Sequence, residues 1–377
     1  MKIEQLEYYS GQFYGEETLG KSAQWVLIFG SGVLLRDNRL IDCIRNKYPN
    51  AYLMGCSTAG EIHADRTNND SLSITAIEFM KVKVKFKSYP ILCNTSKDSF
   101  EFGKQIISEL DQNDLKHVFI LSEGLNFNAS KLVEGMREII KKEVPLTGGL
   151  AGDGTQFKET YIISNDYAKR NQIVVAALYG SLKNGCASVG GWDTFGIERI
   201  VTKSKENILY EMDHKPALDL YKEYLGERAT ELPASGLLFP LSVRLKEAEE
   251  GIVRSVLSIN EEDKSLIFAG DIPENSYCKL MRSNYNNLLN GSMKAAELAS
   301  EMIAVEKIDL AILISCVGRK AVFKQRLDEE IEVIRDIVGK DTIVTGFYSY
   351  GEIAPYRKDT LCELHNQTMT VTFITEE

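Results

Sequence analysis

Gly55-Cys56-Ser57-Thr58-Ala59-Gly60-Glu61-Ile62 returns near the far end of the chain as Gly346-Phe347-Tyr348-Ser349-Tyr350-Gly351-Glu352-Ile353, in register and without a gap, as G-x-x-[ST]-x-G-E-I. A related turn, Thr147-Gly148-Gly149-Leu150-Ala151-Gly152-Asp153-Gly154, lies between them. Each follows the same order of elements: a short apolar strand, a connecting stretch, and a second apolar strand. A glycine turn at the end of a buried strand presents backbone N–H groups and admits close approach of another chain or a ligand. Three such turns, brought together by duplication, are the expected walls of a binding site.

The elements around the turns can be read outward from them. In the first unit Trp25-Val26-Leu27-Ile28-Phe29-Gly30 is a continuous apolar run, as in a strand covered on both faces. A short helix with Leu40, Ile41 and Ile44 on one side leads to Tyr52-Leu53-Met54 and the turn, and Ser71 to Ile77 resumes as a strand. In the second unit a helix at about 97–110 precedes the strand His117 to Leu121. Asn128 then caps a helix with Leu132, Val133, Met136, Ile139 and Ile140 in one stripe, and Ile173 to Leu178 closes the unit. The third unit has a helix at about 292–304, the strand Leu310 to Ile314, a helix carrying Leu327, Ile331, Ile334 and Val338, and a last strand from Met369 to Ile374. Between the second and third units, strands from Ile197 to Met212 and a helix from Ala217 to Leu225, stopped by Gly226, lead into several short strands. The fold class expected is α+β. Its mixed sheets are covered by helices and built from repeated helix–strand–helix–strand–glycine-turn units, with pseudo-duplicated N- and C-terminal halves. The expected domains are 1–215 and 216–377.

The 377 residues are 44% hydrophobic and 26% charged, with a net charge of −10. This is ordinary globular composition, long enough to bury a sizeable core. An acidic chain without a Lys/Arg block argues against a nucleic-acid or anionic-membrane surface. No run reaches the roughly 18 apolar residues of a membrane span, and the N-terminal residues have no signal-peptide core. A soluble, cytoplasmic protein with no membrane insertion is expected. The seven cysteines are odd in number, scattered and without a C-x-x-C pair. That fits buried free thiols in a reducing compartment. No metal site is expected, since the four histidines show no ligating spacing.

Taken with Gly190-Gly191-Trp192, Pro216-Ala217-Leu218-Asp219-Leu220-Tyr221, Phe268-Ala269-Gly270-Asp271-Ile272-Pro273, Ser315-Cys316-Val317-Gly318-Arg319 and Leu364-His365-Asn366, the turns resemble the FIST family (F-box and intracellular signal transduction proteins). The resemblance covers almost the whole chain, in family order. It implies a FIST N-terminal domain, a FIST C-terminal domain, and a sensory module for small ligands such as amino acids. It also implies a separate signalling partner: a histidine kinase, a cyclic-nucleotide enzyme or a chemotaxis receptor. Some members bind haem and sense nitric oxide. Two positions depart from the family pattern, His214 and Asn275, where glycine is usual; Asn tolerates positive φ at modest cost, His less often.

The candidate ligand-binding residues are therefore Gly55, Cys56, Ser57, Thr58, Gly60 and Glu61 of the first turn, Gly149, Leu150, Gly152 and Asp153 of the second, and Tyr348, Ser349 and Glu352 of the third, with Cys316, Arg319 and His365. Turn N–H groups would hold a carboxylate or phosphate. Glu61 and Glu352, facing a shared cleft, would attract an ammonium or hold one proton between them. The plainer alternative is that each glutamate bonds donors of its own turn. Arg319 would clamp a carboxylate, and Arg254, interrupting an apolar run, is a second candidate; an internal ion pair is the alternative for both. Cys56 and Cys316 as nucleophiles, with His63 or His365 as base, or Ser57 as nucleophile, would make the chain a thiol- or serine-dependent hydrolase. His365 is the axial ligand expected if haem binds; no other cofactor and no catalytic group is expected.

Overall fold

In the computed structural model, which describes residues 1–93, 95–245 and 251–377, three mixed sheets are each organised about one central strand that is buried almost throughout. Trp25–Gly30 lies between the parallel strand Tyr52–Ser57 and the antiparallel strand Leu72–Glu78. Leu115–Ser122 lies between parallel Leu146–Leu150 and antiparallel Gln172–Gly180. Leu310–Cys316 lies between parallel Ile343–Ser349 and antiparallel Met369–Glu376. A parallel neighbour needs a crossover. The helices Asn38–Lys47, Ala129–Ile139 and Asp328–Val338 supply it, each with a buried apolar stripe. Asp37 and Asn128 cap the first two by accepting from Arg39 N–H and Lys131 N–H.

Strand periodicity then sorts the side chains. Trp25, Leu27 and Phe29 point into a core shared with Phe119, Leu121, Ile312 and Ile314 of the other two sheets. Phe29 and Phe347 meet there with ring centroids 4.7 Å apart. The alternate residues Val26 and Ile28 face outward, under Leu40, Ile41 and Ile44. The three sheets thus enclose one core, and helices cover their outer faces.

The chain leaves its own sheet at every glycine turn. After the first turn, Glu61–His63 and Arg66–Asn68 join the edge of the sheet built on Leu310–Cys316, with Glu61 opposite Phe347. After the second, Ile162–Ser164 joins the edge of the first sheet beside Tyr52–Ser57. After the third, Gly351–Pro355 and Cys362–His365 join the second sheet, with Glu352 opposite Gly149. Each unit therefore lends its following strand to another, in a closed cycle.

A fourth, antiparallel sheet runs Ile252–Arg254, Leu241–Arg244, Tyr277–Arg282, Asp193–Lys205, Ile208–Met212, Ser265–Phe268, Val256–Asn260, with Lys215–Pro216 beside Ile208–Met212. It has its own core with the helix Ala217–Leu225. Eight α-helices occur among the described residues, and none of them is long and apolar enough to cross a membrane. The helix expected near 292 begins at Tyr285 instead, capped by Asn284; its polar first turn, Tyr285-Asn286-Asn287, carries no apolar signal. His214 and Asn275 both take the left-handed conformation, with φ of 61° and 60°.

Candidate functional site

The first glycine of each turn has the same local reason. Gly55, Gly148 and Gly346 stand opposite Ile28, Ile120 and Leu313 in the three parallel pairings. A Cβ on any of them would fall within 2.0 Å of that residue's carbonyl oxygen. These glycines let two strands close; they do not face a ligand.

The turns converge and bond to one another. Ala59 N–H donates to Tyr348 O (2.7 Å) and Tyr348 N–H to Gly60 O (2.8 Å). Gly152 N–H donates to Ser57 O (2.8 Å), and Tyr350 N–H to Leu150 O (3.3 Å). Asp153 is fixed by the amides of Phe157, Lys158 and Glu159 (2.8, 2.8 and 2.9 Å) and by the Tyr350 hydroxyl. Much of the N–H donor capacity expected to face a ligand is thus used in joining the three units.

Beside this junction lies a cavity of about 400 Å³. Thr58, Gly60 and Glu61 of the first turn and Asp153 of the second border it, as does Lys320 from the third unit. Lys320 Nζ donates to Ala59 O and to Asn69 Oδ1, and burial pulls it below the usual lysine range, opposed by Glu61 and Asp70. Burial raises Glu61 to about 7, against bonds from Thr58 and Ser71 and the charge of Lys320. Arg36, paired loosely with Glu159 (3.7 Å), is a second cation at the rim.

The remaining expected residues lie off this cavity. Gly55 and Cys56 are inside the strand Tyr52–Ser57, and Ser57 Oγ accepts from Tyr161 N–H (2.9 Å). Gly149 and Leu150 are strand residues paired with Glu352 and Gly351. Glu352 does not share a cleft with Glu61. It bonds the Ser349 hydroxyl and the N–H and hydroxyl of Thr368 (3.3 and 3.1 Å), as Glu61 bonds those of Thr58 and Ser71. Burial raises Glu352 to about 8. Arg319 forms the internal pair: Nε–H to Glu330 Oε1 (2.8 Å), with Ser315 and Tyr348 hydroxyls on Glu330 Oε2 (3.1 and 3.0 Å). It is fully buried and cannot clamp a ligand.

Burial pushes the Cys56 and Cys316 thiols up, with Glu61 and Glu352 adding to it. This is the opposite of what a nucleophile needs. His365 Nε2 is bonded to Ala354 O (2.9 Å), and the imidazole is buried and held neutral down to about 4. As placed, it does not fit an axial haem ligand.

Lys320 and Arg36 were not singled out by sequence reasoning. Lys320 follows Arg319 on the short helix Val317–Phe323. Successive residues diverge by about 100° on a helix, so Arg319 turns into the core and Lys320 to the cavity. Two adjacent cations at a buried strand's end were the available signal.

Residues 24–215 match the FIST N domain and residues 217–355 the FIST C domain. The chain belongs to the FIST family. Among curated proteins, this FIST chain is 24% identical to an uncharacterized protein of Methanocaldococcus jannaschii, over 87% of this chain and 69% of that protein. Among solved structures it resembles a chorismatase (7% identity, TM-score 0.37, 99% and 98% of the two chains). It also resembles a cyanuric acid hydrolase from A. caulinodans (10% identity, TM-score 0.17, 78% and 100%). Similarities this weak carry nothing about the chemistry of the FIST chain.

Proposed function

We propose that this chain is a sensory input module that takes a small zwitterionic metabolite, of amino-acid type, into the cavity between the turn junction and Lys320. The observation that carries this reading is the cavity's composition. One wall comes from each of the three units, so an occupant touches all of them. Its volume is in the range of small-molecule sites. The ammonium of Lys320 suits the ligand's carboxylate, and Glu61 with Asp70 suits its ammonium. This places the carboxylate on a side chain rather than on the turn N–H groups. We read the three sheets as copies of one duplicated unit, so that a ligand at their junction shifts how the units sit and alters a surface presented to a separate partner. That partner is a histidine kinase, a cyclic-nucleotide enzyme or a chemotaxis receptor.

The test is thermal unfolding against a panel of free amino acids and small carboxylates at millimolar concentration. A binder raises the unfolding temperature in a saturable manner, and Lys320→Met abolishes the rise. No stabilisation of the wild-type chain by any compound, or an undiminished rise in Lys320→Met, refutes the reading.

A further inference from the structure

We propose that Arg254 anchors a second, separate binding site, for a small monocarboxylate with an apolar body, in the cavity between helix Ala129–Ile139 and the antiparallel sheet. Arg254 ends the edge strand Ile252–Arg254 and is only 7% exposed. Every hydrogen bond it makes goes to a neutral carbonyl: Nε to Asp271 O (3.2 Å), Nη1 to Leu364 O (2.9 Å) and Val253 O (3.5 Å). Among the described residues no carboxylate lies within ion-pair distance, and Nη2 has no acceptor. Asp271 and Glu363 act on it only from beyond that distance, and a buried charge without a direct partner is costly. The contrast is internal, because the chain's other deeply buried arginine, Arg319, is paired with Glu330.

A cavity of about 530 Å³ opens at this guanidinium. Its other cations are already matched: Lys131 with Glu134 (2.6 Å), Arg137 with Glu363 (3.1 Å) and Arg244 with Glu198 (2.7 Å). Of the acids that border it, Glu134 and Glu363 are those partners, and Asp271 Oδ1 accepts from Asn128 Nδ2 (2.8 Å). Among the described residues, Arg254 is the cation of this wall without a direct ion pair; Asp271 and Glu363 balance it only from a distance. Ser130 supplies the second polar group: its hydroxyl is buried and has no hydrogen-bond partner among the described residues. Gly270 holds the two together, since a Cβ there would sit 2.9 Å from Arg254 Nε and 3.1 Å from Ser130 Oγ.

A planar cation without a direct ion pair and a hydroxyl without a bonded partner among the described residues suit a single carboxylate. The rest of the lining includes Val133, Val243, Leu245 and Ile252, so the acid carries an apolar body. This cavity shares no lining residue with the one at Lys320, and the two proposals stand or fall separately.

The experiment measures binding of benzoate and hexanoate to the full chain by calorimetry and thermal shift, with benzamide as the uncharged counterpart of benzoate. Saturable binding of an acid is expected, with benzamide weaker by about tenfold or more, the loss expected for one charged hydrogen bond. Arg254→Met removes a buried charge that has no direct ion pair, so it is expected to fold and to lose acid binding, and Ser130→Ala weakens it. Lys320→Met leaves it unchanged. Failure of both acids to bind, equal binding of benzamide, or retained binding in Arg254→Met overturns the proposal. Should Arg254→Met not fold, the acid–amide comparison on the wild-type chain together with Ser130→Ala decides.

Discussion

Replacing Glu352 by Gln is expected to make the protein more stable in alkali than the wild-type chain, and the size of the effect follows from where the carboxyl sits. Glu352 is fully buried in hydrogen bonds from Ser349 and Thr368, and burial raises it from 4.5 to about 8. A carboxyl with a raised folded pKa binds its proton more tightly in the native state. Its contribution is therefore complete at low pH and is lost as pH rises from the unfolded value towards the folded one. Each pH unit in that interval costs about 1.4 kcal/mol. Gln keeps the geometry: its oxygen accepts from Thr368, and its amide donates to Ser349 Oγ, whose own proton goes to Ser315 O, 3.3 Å away. Between about pH 5.5 and 8.5 the stability of Glu352→Gln should rise relative to wild type by about 3 kcal/mol. Taking the difference removes the other titrations, among them Glu61, raised to about 7, which runs with the trend, the histidines held neutral by burial, His117 and His365, which oppose it at lower pH, and Lys320, which opposes it in alkali. The assay is urea unfolding of both chains across that range, read as midpoint and slope. Parallel stability curves, with a gap that does not change with pH, would refute a neutral buried carboxyl at this position.

Two further outcomes follow from the packing. Gly148→Ala and Gly346→Ala each place a Cβ 1.8 Å from a strand carbonyl, and each is expected to lower stability in urea by about 2 kcal/mol or more, whereas an alanine at the open position Gly154 has no such contact to relieve. Glu330→Gln leaves Arg319 buried without its counter-charge and should cost about 3 to 5 kcal/mol; the double change Arg319→Met with Glu330→Leu should recover much of that loss, and a double variant no better than the single one would show that the network's remaining hydrogen bonds matter more than the charge pair.

The strands and crossover helices were legible because continuous apolar runs and single apolar stripes are strong local signals, and Trp25–Gly30 and Ala129–Ile139 carry them plainly. The strand exchange was not. Glu61 and Ile62 read as the end of the turn, and nothing in the sequence says that Glu61–His63 is a strand or that its edge partner is Ile343–Ser349, more than 280 residues later. At the candidate site, Thr58, Gly60, Glu61 and Asp153, which the turn pattern singles out, border one cavity. The place of Arg319 was not legible, because a charged residue at a buried strand's end reads the same whether it meets a ligand or an internal Glu330. Arg254 illustrates the converse. The expected ion pair is missing, and only coordinates show that its acceptors are carbonyls.

The cyclic exchange of strands also fixes what the glycine-turn sequence does. A turn that only reversed the chain within one sheet would leave its amides free for a ligand. Here each turn carries the chain from one sheet to another, so its first glycine admits the parallel neighbour and several of its amides tie it to the other two turns. Glu61 and Glu352 then fasten the departing strands back to Ser71 and Thr368. The G-x-x-[ST]-x-G-E-I pattern is in that sense a fold-closing device, and the groups proposed for recognition lie just outside it: Lys320 beside the junction, and Arg254 where the antiparallel sheet meets helix Ala129–Ile139. Any movement of the junction must break hydrogen bonds in all three turns together, because Ala59 and Gly60 bond Tyr348 while Ser57 bonds Gly152. A ligand touching Lys320, Thr58 and Asp153 at once, as proposed, would bias that cooperative unit, whereas one held at Arg254 would bear on the contact between helix Ala129–Ile139 and the antiparallel sheet instead.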